Sequence, residues 1–216
     1  MIGRLYALNG GRCDMTTFLR FGHPSIAGPE EHDELLDRFI PVYDVVERHH
    51  IPVCAPAAVT LTAAKDQDFQ RIPAIRAIFK AREFVLRSKP VPSPATTLFA
   101  QLQAFGWGVL AETPGREVVL GAVTKPWEPN PVFRALPPTE FPAFSEPGFV
   151  KIAFTLRADP VGEHNSVFRT ETRAVATDAF ARAKFRRYWT FVSPGVAAIR
   201  WLSLRPLKRE AERRAS

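Results

Sequence analysis

The most regular pattern in the chain runs from Gly148 to Val192. Val150, Ile152, Phe154 and Leu156 alternate with Lys151, Ala153, Thr155 and Arg157, the period of two that gives a strand one apolar and one polar face. After the turn formers Asp159-Pro160-Val161-Gly162-Glu163-His164-Asn165, the residues Val167, Arg169, Glu171 and Arg173 alternate with Phe168, Thr170, Thr172 and Ala174. The two runs are expected to pair as a hairpin. Thr177 is the expected N-cap of a long helix, with Asp178 in its first turn, where the helix dipole favours an anion. Ala181, Phe185, Tyr188, Trp189 and Val192 share one arc of that helix, and the apolar face of the sheet is its natural partner.

Upstream, the pattern predicts a short amphipathic helix over Glu31–Ile40, closed by Pro41, and a strand over Tyr43–Val53. On that strand Tyr43, Val45, Ile51 and Val53 share a face with Glu47 and His49. Helices are predicted over Ala55–Phe69 and Ile72–Arg87, a proline-rich connector over Ser88–Pro94, and a third short helix over Thr97–Phe105, stopped by Gly106. Trp107–Thr113 and Arg116–Thr124 read as strands around Pro114-Gly115, the central pair of a type II turn. A two-residue loop there would pair Glu112 with Glu117, Leu110 with Val119 and Gly108 with Gly121 on one side. Ala111 with Val118, Val109 with Leu120 and Trp107 with Ala122 would form an apolar set toward the helix, leaving both glutamates outside. Lys125–Gly148 carries seven prolines with Trp127, Phe133, Phe141 and Phe144. It is too proline-rich for a helix or central strand and too aromatic for a solvated loop, so it is expected to pack as a cover.

At 216 residues and 46% hydrophobic composition, the chain can bury one good core. Residues 31–212 are expected to form a single domain, residues 1–30 to be poorly ordered, and 213–216 to be a tail; Met15 is a second candidate start. The formal net charge is +7. The surplus lies between Asp178 and Ser216, where ten lysines and arginines face three carboxylates. Such an end suits an anionic ligand or an anionic membrane surface, and it also simply complements the helix dipole. Cys13 and Cys54 suggest no disulfide framework, so a reduced cytoplasmic setting is the expectation. No signal pattern or membrane-spanning run is legible. Phosphate loops, nucleophile elbows and metal-ligand spacings are missing too, so neither a cofactor nor a metal is expected. Nucleic acid is not an expected partner, because no aromatic-basic sheet surface or reading helix is evident.

Several local motifs carry a resemblance: Glu47-Arg48-His49, Pro114-Gly115-Arg116-Glu117-Val118-Val119-Leu120-Gly121, Lys125-Pro126-Trp127, Pro147-Gly148-Phe149-Val150-Lys151-Ile152, Thr170-Glu171-Thr172-Arg173, and Asp178 to Trp189 with Arg182, Phe185, Tyr188 and Trp189. With the order of elements from about Tyr43 to Glu212, they resemble a bacterial branch of the SRPBCC superfamily, which includes START-like, polyketide cyclase and birch-pollen-allergen proteins. The resemblance implies an α+β helix-grip fold, a curved antiparallel sheet wrapped around a long C-terminal helix. It also implies a cavity between them for an apolar ligand, a lipid or a polyketide intermediate. Pro206 departs from the unbroken helix of that pattern.

Trp107, Val109, Leu120, Phe154, Thr170, Thr172, Phe185 and Tyr188 are the expected ligand-contacting residues, mostly apolar with a few orienting polar groups. Glu47 and His49 are the candidate catalytic pair, since a carboxylate two residues from an imidazole can orient it as a general acid or base. They can equally satisfy each other at the sheet edge. Glu112, Glu117, Lys151, Arg157, Arg169, Glu171 and Arg173 are expected to form a charge ladder on the outer face; the alternative turns Glu171 and Arg173 inward as an anion clamp. Three functional readings follow. The first is a non-catalytic carrier of a small hydrophobic or lipid-like molecule in a cavity of roughly several hundred Å³, the second a cyclase or dehydratase using Glu47 and His49. The third is a protein that associates with a membrane surface through its broken C-terminal helix and basic tail.

Overall fold

The computed structural model describes residues 33–68, 72 and 97–216, together with the backbone of 16–20. The expected hairpin forms as β5 (Val150–Val161) and β6 (Asn165–Ala176), both longer than the alternation suggested. It sits at the centre of one antiparallel sheet of six strands. β2 (Val45–Val53) pairs with β6, and β1 (Thr16–Arg20) adds to β2 as an edge strand. These five residues thus have regular structure within a segment expected to have none. On the other side β4 (Glu117–Thr124) pairs with β5, and β3 (Gly108–Thr113) closes that edge.

The turn between β3 and β4 corrects the expected register. Arg116 N–H donates to the Thr113 carbonyl at 3.0 Å and Gly115 has φ +71°, so the turn spans the expected residues. The strands, however, resume at Thr113 and Glu117, leaving three residues in the loop, and Glu112 pairs with Val118 and Ala111 with Val119. The twist of a type I or II turn does not match that of a two-residue hairpin, which accounts for the extra residue. A bulge between Val109 and Ala111 then restores the expected pairs Val109–Leu120 and Gly108–Gly121. Gly121 makes room for the bulged Leu110, since a Cβ there would lie 2.4 Å from Leu110 Cδ1. One consequence is that Ala111 moves to the opposite core, while Glu112 turns to the helix side and pairs with Lys65.

Two layers cover the sheet. On one face lie α2 (Ala57–Asp66), α3 (Leu98–Ala104) and α4 (Ala179–Ala215), packed on Ile51, Val53, Val118, Leu120, Phe154 and Leu156. On the other lie α1 (Glu34–Asp37) and the cover segment, whose Phe141 is fully buried with Leu36, Ile40, Val119 and Val123. α1 is shorter than expected, although Leu35, Leu36, Phe39 and Ile40 all pack as its pattern requires. The helix expected over Ile72–Arg87 lies, from residue 73 onward, outside the described residues, as does the connector after it.

The last helix departs from expectation twice. Its N-cap is Asp178, which accepts from Ala181 N–H at 2.8 Å, while Thr177 exchanges hydrogen bonds with Phe149 instead. It also runs unbroken for 37 residues through Pro194 and Pro206, into the stretch assigned to a tail. Each proline removes one helical hydrogen bond. Burial of Ser193, Ser203, Leu204, Leu207 and Ala211 holds the helix down on both sides of these positions. The architecture is therefore α+β, a curved antiparallel sheet gripping a long C-terminal helix.

Candidate functional site

Register carries a row of side chains across the helix-facing side of the sheet. Val109 of β3 pairs with Leu120 of β4, Leu120 with Phe154 of β5, Phe154 with Thr172 of β6, and Thr172 with Glu47 of β2. His49 and Thr170, themselves partners, stand one step along. Trp107 meets Phe154 edge-on, with ring centroids 5.1 Å apart, and stacks on Phe133 of the cover at 5.4 Å. Gly106 allows this entry to β3. It has φ +91°, and a Cβ there would fall 2.1 Å from the Phe133 carbonyl oxygen.

Glu47 and His49 are 3% and 2% exposed. Both face the helix, and His49 Nε2 lies 2.7 Å from Glu47 Oε1. In the neutral tautomer in which Nε2 donates to the Glu47 carboxylate, Nδ1 is an acceptor. Neither Nδ1, nor Glu47 Oε2, nor Thr170 Oγ1 has a hydrogen-bond partner among the described residues, though all three are buried. Unpaired buried polar atoms are uncommon in folded proteins and each costs about 1–3 kcal/mol.

Arg200 of α4 completes the group, and it was missed as a site residue. Its Nη2 donates to Thr172 Oγ1 at 3.1 Å, and its guanidinium lies 5.0 Å from the Phe154 ring centroid. Burial pulls Arg200 below the ordinary guanidinium range, and the Glu47 carboxylate opposes that shift. The sequence did carry a signal for it. Arg200, Leu204, Leu207 and Ala211 recur at steps of four, three and four, so a cation occupies a position on the stripe that faces the core.

Eight of the ten expected site residues thus lie on the helix-facing surface around Arg200. Phe185 and Tyr188 do not join them. Phe185 packs against Val150, Ala174, Ala176 and Ala181, and fifteen helical residues place it about 22 Å along the axis from Arg200. The cavity expected between the sheet and the helix is not represented by either of the two depressions found among the described residues. These surface depressions of about 300 Å³ are lined, respectively, by Trp127, Lys184, Arg187, Tyr188 and Phe191, and by Ala58, Val59, Thr62 and Arg214. Neither includes a member of the row.

The opposite face of the same two strands is closed. Glu171 accepts from Arg48 Nε at 2.8 Å and Nη2 at 3.0 Å, and from Arg173 Nε at 2.6 Å. Arg173 also donates to Asp37 and to the Ile40 carbonyl, and lies over the Tyr43 ring. Burial works against the charge on Arg173, but Glu171 and Asp37 hold it above its ordinary value. Glu171 and Arg173 therefore lie on the face away from the helix, covered by Asp37, Ile40 and Tyr43, and do not form a clamp toward it; the rest of the expected ladder is only partly formed, since Glu112 turns to the helix side and Lys151 donates to the Pro142 carbonyl. At the far end of β6, Asp159 ties together Arg157 and Arg169, which would otherwise repel as cross-strand partners.

No family model and no curated protein matches the chain. Among solved structures it is similar to the crystal structure of CalU16 from Micromonospora echinospora, at 11% identity over 94% of this chain and 96% of that one, with a TM-score of 0.31. A similarity at that score carries no weight for function. The architecture rests on the strand order and on the placement of α4 against the sheet.

Proposed function

We propose that the chain binds a small, largely apolar molecule bearing one anionic or enolisable oxygen, held between the sheet and α4. The observation that carries this reading is the group of polar atoms on Glu47, His49 and Thr170 that lack partners among the described residues, beside the Arg200 guanidinium and set in a surface otherwise made of Phe154, Leu120, Val109 and Trp107. A bound ligand would supply the partners that this group lacks among the described residues. The resemblance to START-like proteins supports the same location.

The test is isothermal titration with 2-naphthoate and neutral 2-naphthamide. The carboxylate is expected to bind at least about tenfold tighter, and Arg200→Met to erase the preference, since a charge-assisted hydrogen bond contributes about 1.5–3 kcal/mol. Equal affinities in the wild type, or a preference indifferent to Arg200, would overturn the proposal.

A second reading is favoured by one specific contact, the 2.7 Å bond between His49 and Glu47. In it, His49 Nδ1 takes a proton from the carbon beside a carbonyl, Arg200 faces the resulting enolate oxygen, and the proton returns to a departing β-hydroxyl as water. Glu47→Gln would then slow loss of water by about 10²–10⁴-fold with affinity retained. Binding without any loss of water from a β-hydroxy carbonyl probe would leave the carrier reading alone.

A further inference from the structure

The side of α4 that faces away from the sheet has its own composition. Phe180, Lys184, Arg187, Phe191, Trp201 and Arg205 recur at the three- and four-residue steps, and sums of them, that align side chains along one face of a helix. Phe180 and Phe191 are 65% and 78% exposed, and Trp201 is exposed beside them. The cations lie over the aromatic rings. Lys184 is 4.5 Å from the Phe180 centroid and 5.9 Å from that of Trp127, and Arg205 is 5.2 Å from that of Trp201. Trp127 of the cover, Lys184, Arg187, Tyr188 and Phe191 enclose the first of the two surface depressions.

Charge selects the occupant of this face. Residues 179–209 contain eight lysines and arginines and no carboxylate. Arg182 is held by Asp44, Lys208 by Glu212, and Arg200 is turned inward. Lys184, Arg186, Arg187, Arg205 and Arg209 have no ion-pair partner among the described residues. A second copy of the chain would bring like charges together on such a face. An anionic bilayer instead accepts the exposed aromatic rings at headgroup depth while the lysine and arginine heads meet lipid phosphates. Among the described residues no helix is long and apolar enough to cross a membrane, so the contact would be with the surface.

We infer that the outer face of α4 docks on an anionic membrane surface through Phe180, Lys184, Arg187, Phe191 and Trp201. This is a different surface from the row around Arg200, and it stands or falls independently of the ligand proposed there. The experiment is co-sedimentation of the full chain with vesicles of phosphatidylcholine alone and of phosphatidylcholine mixed with phosphatidylglycerol. Binding is expected only with the mixed vesicles and should weaken as salt rises. Lys184→Glu with Arg187→Glu is expected to lower it by about tenfold or more, and Phe191→Ser to lower it severalfold. All these residues are exposed, so circular dichroism should be unchanged. Equal binding to both vesicle types, no binding to either, or charge reversals without effect would overturn the inference. So would tighter capture by polyglutamate than by mixed vesicles, which would assign the face to an acidic protein, or a dimer in solution abolished by Phe191→Ser.

Discussion

β2 and β6 present opposite solutions on their two faces. Arg48, Glu171 and Arg173 point away from α4 and form a network in which both oxygens of Glu171 are used and Arg173 reaches two further acceptors. One residue to either side, Glu47, His49 and Thr170 point toward α4 and leave a carboxylate oxygen, an imidazole nitrogen and a hydroxyl without partners among the described residues. Glu171 and Arg173 are as buried as Glu47, His49 and Thr170, so burial does not distinguish the two groups. Saturation does. A closed network keeps the fold, whereas an open one keeps capacity for something the fold does not itself supply.

The largest expected effect comes from breaking the closed side. Arg173→Met would leave Glu171 and Asp37 short of a cation in a site where Arg173 is 1% exposed. It should cost about 3–5 kcal/mol in urea unfolding without changing the preference for 2-naphthoate. A loss of preference at intact stability would mean that the two faces are not separate in role.

Smaller and dependent on pH is the effect at Glu117, which also lies on the covered face. Burial first, and then the neighbouring Asp33 carboxylate, pushes Glu117 up to about 8, and one of its oxygens is unpaired. The folded state therefore prefers the protonated acid. Its contribution is complete below the ordinary glutamate value of 4.5 and is lost as pH rises through about 8. Glu117→Gln keeps the neutral form, so thermal unfolding of variant and wild type should coincide near pH 4 and separate in favour of the variant near pH 9. Parallel curves across that window would show that this corner is closed without a proton.

Smallest of all is the effect of Thr170→Val on the open side. Removing a hydroxyl that has no partner should leave stability unchanged or raise it by up to about 1 kcal/mol, while affinity for 2-naphthoate falls severalfold. Destabilisation beyond that range would mean the hydroxyl is satisfied in solution and the row is less open than the structure has it.

Much of this arrangement was legible in the chain. The alternation on β2 placed Glu47 and His49 with Ile51 and Val53, because a period of two leaves little freedom once one face is buried. The hairpin and the helix-facing placement of the row residues followed from the same rule, while the cover was legible from its prolines and aromatic residues. Local pattern does not report what covers the second face, and so Arg173 and Glu171 read as an outer ladder when Asp37, the Ile40 carbonyl and the Tyr43 ring cover Arg173. The β3–β4 register was missed because the turn's twist and the bulge at Leu110 are properties of two strands together. Pro194 and Pro206 read as breaks because their local cost is plain, whereas the burial that offsets it comes from a sheet distant in sequence. Arg200 was visible at a core-facing step but was counted with the basic surface.

The central claim is that the row around Arg200 is completed by a ligand. Its most direct test is mass spectrometry of an organic-solvent extract of the denatured protein, comparing wild type, Arg200→Met and a mock purification. The account predicts an apolar molecule with an acidic or enolisable oxygen in near-stoichiometric amount from the wild type, and its loss from the variant. The same molecule in equal amount from both proteins would contradict it.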